Sequence, residues 1–222
     1  MKEIGIFGGT FNPIHWGHLL IAEFAREHFQ LDKVLFVTCA RPPHRKDVDL
    51  DAEERFEMVK AAVAGNERFE ASRIELDRPG PSYMMDTLAD VRKMYGPDVK
   101  LNLIVGGDNI AQLKLWHKAN EIFKSCRILV APRVESYSHL VEELSNGGAG
   151  RQIVAPAEIE LIRCPLVQIS SSQIRARIHH GKTVRYMVPA PVYDILHAHG
   201  YYKLTDSKAE IAAENAAEDS LV

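Results

Sequence analysis

The chain of 222 residues is 46% hydrophobic and carries 27 basic against 30 acidic side chains, a net charge of −3. That content can bury a substantial core, and the balance of charge argues against broad sequence-independent nucleic-acid binding, which needs a basic excess. Cys39, Cys126 and Cys164 are far apart with no C-x-x-C pair, so neither a disulfide framework nor a zinc ribbon is expected.

No apolar run approaches the ~18 residues that cross a bilayer. Met1 leads into a strand pattern with no signal-peptide core. A cytoplasmic protein without a membrane partner is the expectation. One domain is expected over residues 1–204. Beyond it residues 205–222 form an acidic, alanine-rich tail read as a frayed helix or a disordered end.

In chain order, Ile4, Ile6 and Phe7 predict a short strand of the kind buried in a parallel sheet. Gly8-Gly9-Thr10 predicts a tight turn open to a ligand. Pro13 punctuates the loop, and a helix is predicted from about Trp16 with Ile21, Phe24 and Ala25 on one face. Strand, glycine turn and helix place backbone N–H groups and a helix N-terminus where a phosphate would sit. His15 and His18, three apart, fall on one side of the first turn and suit phosphoryl oxygens. No Gly-Lys-Ser/Thr follows, so this is not a Walker loop, and the G-x-G-x-x-G of a dinucleotide fingerprint is absent. As a metal pair the histidines lack a nearby Cys or carboxylate to complete a set. A plain strand-to-helix turn stands as the simpler reading of the glycines alone.

Lys33 to Val37 predicts the second strand, followed by the basic loop Arg41-Pro42-Pro43-His44-Arg45-Lys46. A solvated turn is the usual meaning of such a loop; its place after a strand adds weight to an anion contact. Asp51 and Glu54 predict a capping box, with Phe56, Val59 and Val63 as the buried stripe behind it. A short strand is expected within Phe69–Ile74, then a helix capped by Ser82 with Met84, Leu88, Val91 and Tyr95 facing the core and Gly96-Pro97 ending it.

Lys100 to Val105 predicts a strand ending in Gly106-Gly107-Asp108-Asn109, a place where ribose hydroxyls are often held, although Asp-Asn is equally a helix N-cap. Trp116-His117 is read as part of a short helix, and Cys126–Ala131 as a strand with Arg133 just past its end. A short helix and the loop Gly147–Gly150 are expected next, and Ile159–Ile162 as the last strand. Ser170-Ser171-Ser172 starts a helix carrying Arg175, either as a phosphate grip or as simple N-capping. A final helix is expected between Pro189 and Gly200. His179, His180, His197 and His199 are read as exposed helix-end residues. Strands alternating with helices imply an α/β fold with a mostly parallel, doubly wound, Rossmann-like sheet whose ligand loops gather at the strands' C-terminal ends.

The string Gly8–His18 resembles the His-x-Gly-His signature of the nucleotidyltransferase superfamily. Ile169–Arg175 is similar to that superfamily's I-S-S-T/S-x-I-R motif, some 150 residues on. With Ser82–Leu88 and the Gly-x-Asp strand end before Trp116, the order resembles bacterial nicotinate-mononucleotide adenylyltransferases from Ile4 to about Tyr202.

That resemblance implies transfer of the adenylyl group of ATP to nicotinate mononucleotide with Mg²⁺, by direct in-line attack. It implies His18 and His15 as the catalytic pair, His18 the more direct. Gly8, Thr10, Phe11, Gly106, Asp108, Arg133, Ser171, Ser172 and Arg175 would bind ATP together with both histidines. His44, Arg45, Lys46, Thr87 and Trp116 would bind the other substrate, Thr87 and Trp116 at the nicotinate ring. No protein side chain is assigned to a metal. Arg45 stands where the family usually has lysine, Met84 replaces a common threonine, and Arg133 lacks the Pro-Gly that often follows it. A relative acting on nicotinamide mononucleotide or phosphopantetheine, or a sensor without catalysis, is the competing reading. The sequence leaves oligomeric state open, a homo-oligomer included.

Overall fold

The computed structural model describes residues 1–42, 48–107, 110–113, 115–131 and 159–203. His44, Arg45, Lys46, Asp108, Arg133, the Gly147–Gly150 loop and the tail from 205 lie outside the described residues. The strands are β1 (Glu3–Gly9), β2 (Lys33–Thr38), β3 (Phe69–Ser72), β4 (Lys100–Gly106), β5 (Arg127–Ala131) and β6 (Ile159–Leu161). The helices are α1 (Trp16–His28), α2 (Ala52–Val63), α3 (Met84–Tyr95), α4 (Ile110–Leu113), α5 (Ala119–Ser125), α6 (Ser171–His179) and α7 (Ala190–His199).

All the strand pairs are parallel, in the order β3-β2-β1-β4-β5-β6. The chain therefore winds outward from β1 in one direction and then, through β4, in the other. Loops leaving the C-terminal ends of β1 and β4 diverge, and the crevice between them is where ligands of open α/β sheets bind.

Both sheet faces are covered, which explains why the inner strands read as continuous apolar runs. Phe7, Val34, Phe36 and Ile104 pack on one face with Leu19 of α1, Met58 of α2, Ile174 of α6 and Val192 of α7. Ile4, Ile6, Leu35 and Val37 pack on the other with Leu88 and Val91 of α3 and Ile122 of α5.

Helix ends follow the chemistry of the sequence. Asp51 and Glu54 form a reciprocal capping box, Glu54 N–H to Asp51 Oδ1 at 2.8 Å and Asp51 N–H to Glu54 Oε2 at 3.0 Å. Ser170 caps α6 in the same way with Gln173. Ser82 does not cap α3. Its hydroxyl instead accepts the N–H groups of Ala40 and Arg41, each at 3.1 Å, anchoring the chain that leaves β2. Tyr83 holds the N-cap position without a side-chain bond. Trp116 and His117 lie in the turn between α4 and α5 rather than in a helix. In α1 the buried positions are Gly17, Leu19, Ala22 and Ala25, so the stripe is rotated from the expected one.

Candidate active site

The glycine pair is not the turn that the sequence suggests. Gly8 and Gly9 are the last residues of β1, paired with Val37 and Thr38, and the chain turns over Thr10–Pro13. Gly9 is needed for a packing reason: a Cβ there would meet the Phe11 ring at 2.9 Å. Phe11 folds back over it with φ +46°, in the left-handed region that bulky residues rarely adopt. Its ring is buried against Phe7, Phe36 and His18. The ring of Phe11, a residue expected at the ATP site, thus lies in the core.

His15 is the N-cap of α1 and only 3% exposed. Its ring stacks on His18 with centroids 3.7 Å apart. Phe7 and Phe11 pack against the same His18 ring in T-shaped contacts, with centroids 5.9 and 5.1 Å away. The backbone N–H of His15 donates to His18 Nδ1 at 3.3 Å. A neutral imidazole whose Nδ1 accepts must carry its proton on Nε2. His18 is thus presented as an Nε2–H donor on a ring fixed by three neighbours.

Gly17 completes this geometry. A Cβ on it would lie 3.0 Å from His15 Nδ1 and 3.1 Å from Cε1. The glycine of the His-x-Gly-His string is what lets the first imidazole lie across the start of the helix. Its N–H groups and positive dipole end face the same region.

The structure brings α6 to this loop. Ser171 Oγ donates to Pro13 O at 2.9 Å, and Arg175 Nη1 donates to Asn12 O at 2.9 Å. Arg175 Nε also pairs with Asp49 at 3.2 Å. Two of the three α6 residues expected at the ATP phosphates thus hold the loop backbone, while the third, Ser172, is exposed. Gly8, Thr10 and Gly106 stand part-exposed at the C-terminal edge of the two central strands.

The ring-site residues fall on the opposite face, with α3 and α5. Trp116 is half-buried against that core cluster, and His117 beside it faces the Tyr83 ring at 4.4 Å. Thr87 is fully buried at 0% exposure. Its hydroxyl bonds buried Glu75 at 2.6 Å and accepts from Arg78 Nη2 at 3.2 Å; Arg78 in turn pairs with Asp90 at 2.9 Å. The expected direct contact of Thr87 with a ring is therefore not offered; α3 turns this hydroxyl inward to satisfy a buried carboxylate.

Several contributors escaped the sequence reading. Arg55 of α2 bonds the carbonyls of Thr10 and Cys39. Tyr202 donates to Asn12 Oδ1 at 2.6 Å, and Asn12 Nδ2 bonds Asp49 at 3.3 Å. Burial holds the Tyr202 phenol far above its ordinary range, so it stays a donor. Arg55 had one legible signal: it lies four residues before Val59, on the apolar stripe of α2.

Among the described residues no three His, Cys, Asp or Glu side chains converge to hold a metal ion. A divalent cation that accompanies a nucleotide is bound mainly by phosphate oxygens and water. The donors present here, imidazoles, hydroxyls and N–H groups, suit those phosphates rather than the cation itself. Among the described residues no helix is long and apolar enough to cross a membrane.

Comparison with known proteins shows the family. The cytidylyltransferase-like family model matches residues 6–177. A protein of Moorella thermoacetica named "Probable nicotinate-nucleotide adenylyltransferase" is 40% identical over 202 residues, covering 90% of this chain and 92% of its own. A protein of Thermus thermophilus with the same name is 42% identical over 201 residues, 90% of this chain and 100% of its own. In fold, the chain is similar to the Plasmodium falciparum nicotinic acid mononucleotide adenylyltransferase solved with NaAD, at a TM-score of 0.74 and 15% identity over 91% of this chain and 98% of that one. With the paired histidines at the entrance of α1 and relatives matched over nearly their full length, the chain belongs to the nicotinate-nucleotide adenylyltransferases, within the cytidylyltransferase-like family.

Proposed function

We propose that this protein transfers the adenylyl group of ATP to nicotinate mononucleotide, giving nicotinate adenine dinucleotide and pyrophosphate. The observation that carries the reading is the His15–His18 pair, stacked at the N-terminus of α1 in the crevice between β1 and β4. A hydrogen-bond donor beside a helix N-terminus supports the reading, since together they suit developing phosphate charge.

A phosphate oxygen of the mononucleotide attacks the α-phosphorus, and the bond from that phosphorus to the bridging oxygen breaks. The electron pair leaves with pyrophosphate. A phosphate monoester is already ionised near neutral pH, so no protein nucleophile or strong base is required. Catalysis then rests on in-line positioning and on stabilising charge at the transferred group. His18 Nε2–H donates to an oxygen of the α-phosphoryl group, with the N–H groups at the start of α1 beside it. His15 holds the His18 ring by stacking. Ser171, Ser172 and Arg175 close the phosphate side, Arg175 exchanging its Asp49 contact for phosphate oxygens. Gly8, Thr10, Gly106 and Asp108 border the adenosine, with Arg133 near the adenine. His44, Arg45 and Lys46 meet the mononucleotide, and Trp116 faces its ring. With ATP bound, Mg²⁺ would supply charge neutralisation for the leaving pyrophosphate. The same reading places the reaction in the cytoplasm and assigns residues 1–204 to the catalytic domain.

Pyrophosphate release with ATP and Mg²⁺ tests the reading, comparing nicotinate mononucleotide with nicotinamide mononucleotide. Strong preference for the acid is expected. Equal use of the amide would retain adenylyl transfer but overturn the acid selectivity. Release only with phosphopantetheine, or none with any acceptor, would overturn the proposal. His18→Ala should fold normally and lower kcat by about two to three orders of magnitude, the usual cost of losing one donor to a developing charge. Near-normal turnover in the folded variant would remove the mechanism.

A further inference from the structure

We infer that Arg55 is a positioning residue for this transfer, holding the backbone behind His18 without touching substrate. The inference rests on the reaction proposed above.

Arg55 is 1% exposed, the largest fully buried side chain among the described residues. Its Nη1 donates to Thr10 O at 2.6 Å and to Cys39 O at 2.8 Å. Its Nε donates to Leu50 O at 3.2 Å and Asp51 O at 3.1 Å. One guanidinium thus joins the loop after β1, the exit of β2 and the entrance of α2. None of these bonds goes to a carboxylate. Burying a cation on carbonyls alone costs desolvation energy, and an apolar side chain of similar volume would serve packing on α2 better. Burial accordingly lowers the Arg55 pKa below its ordinary value, yet a guanidinium stays charged in a protein.

The bond to Thr10 supplies what the loop requires. The next residue, Phe11, holds a left-handed backbone at φ +46°, a conformation that bulky residues rarely adopt and that persists only when its surroundings over-determine it. Arg55 fixes the carbonyl on its N-terminal side. Arg175 fixes the Asn12 carbonyl on its C-terminal side. Between them the Phe11 ring stands nearly perpendicular to the His18 ring, with centroids 5.1 Å apart. Force therefore passes from Arg55 through Thr10 and Phe11 to the imidazole. A lysine places one ammonium where the forked guanidinium bridges separate carbonyls, so it cannot hold all three segments at once.

The test compares wild type, Arg55→Lys, His18→Ala and the double variant in pyrophosphate release. Arg55→Lys should lower kcat roughly ten- to a hundredfold, the scale of a misplaced catalytic group, with both KM values within about threefold. In the His18→Ala background the same change should cost less than about threefold, because its target is gone. Nitrogen-15 spectra should show the His18 ring signals displaced in Arg55→Lys while those of His28 and His199 stay in place. Unchanged kcat, multiplying losses in the double variant, or unmoved His18 signals would overturn the inference. Should Arg55→Lys not fold, Arg55→Met is examined by the same measurements, and failure of both to fold would make Arg55 a determinant of the fold and overturn a positioning role. An inactive wild type would refute the proposed reaction instead, and the His18 spectra would still report on Arg55.

Discussion

Gly17→Ala separates the demands of folding from those of catalysis at one atom. Gly17 is the second residue of α1, where alanine is the better helix former by up to about 1 kcal/mol. The added Cβ would sit 3.0 Å from His15 Nδ1 and 3.1 Å from Cε1, against an ordinary 3.6 Å from Ile169 O. The His15 ring must therefore give by a few tenths of an ångström. It is buried and lies 3.7 Å from the His18 ring, so its displacement is passed on. The helix gain and the crowding offset each other, which leaves stability within about 1 kcal/mol of wild type, or roughly 2–4 °C in Tm for a chain of this size. Turnover responds far more steeply, since a misplacement of about 1 Å costs on the order of a hundredfold. For the smaller shift here, kcat should fall roughly tenfold, with KM for ATP little changed. Steady-state pyrophosphate release read beside thermal unfolding measures both quantities on one preparation. A kcat within twofold of wild type would refute the argument that this glycine exists to seat His15.

Tyr202→Phe removes the donor to Asn12 Oδ1 and leaves a buried acceptor unsatisfied, so stability should fall by about 1–3 kcal/mol in denaturant titration. An unchanged midpoint would show that water replaces the phenol there. Thr87→Val deletes the hydroxyl held by buried Glu75 and should lower Tm by several degrees while the acid-to-amide substrate ratio stays fixed. Collapse of that ratio would make Thr87 a ligand contact after all. Burial, with Glu75 nearby, pushes the Cys39 thiol up to about 11, and burial pushes Cys126 up to about 12, both from an ordinary 9.0. The neutral thiols favour the folded state, so this stabilisation is complete below about pH 9 and is lost as pH rises through 11 and 12. Iodoacetamide at pH 8 should leave Cys126 unmodified in the native protein and reach the half-buried Cys39 only slowly, and rapid alkylation of Cys126 would contradict its burial.

What was legible in the sequence, and what was not, divides along a physical line. Apolar runs such as Lys33–Val37 and Lys100–Val105 mark strands buried on both faces, and Asp51–Glu54 and Ser170–Gln173 mark helix starts, because those signals are local. The paired histidines were legible for the same reason, lying within one turn. Strand order was not, since β1 pairs with β4 across some hundred residues and nothing near Glu3 announces Lys100. The bonds of Ser171 and Arg175 to the loop were not legible either, because their partners, the carbonyls of Pro13 and Asn12, have no side-chain identity for a sequence to reveal. Ser82 misled in the same way, its natural role as a cap giving place to distant backbone N–H groups.

Arg55 and Thr87 show a signal that does exist. Arg55 shares the stripe of Val59 and Val63, and Thr87 that of Met84 and Val91, so helical periodicity turns both inward. A polar group carried onto a buried face must find hydrogen-bond partners or the helix would not pack there. Partners at such a place are scarce in an α/β core, where strand carbonyls are already paired. They become available where strands end and chain turns, which in this fold is the C-terminal edge that also forms the site. For Arg55 the partners are the Thr10 and Cys39 carbonyls at the ends of β1 and β2; for Thr87 they are Glu75 and Arg78, on the chain just after β3. An arginine on an apolar stripe near a helix's N-terminus, in a chain of alternating strands and helices, thus points back to the loops of the site through periodicity alone.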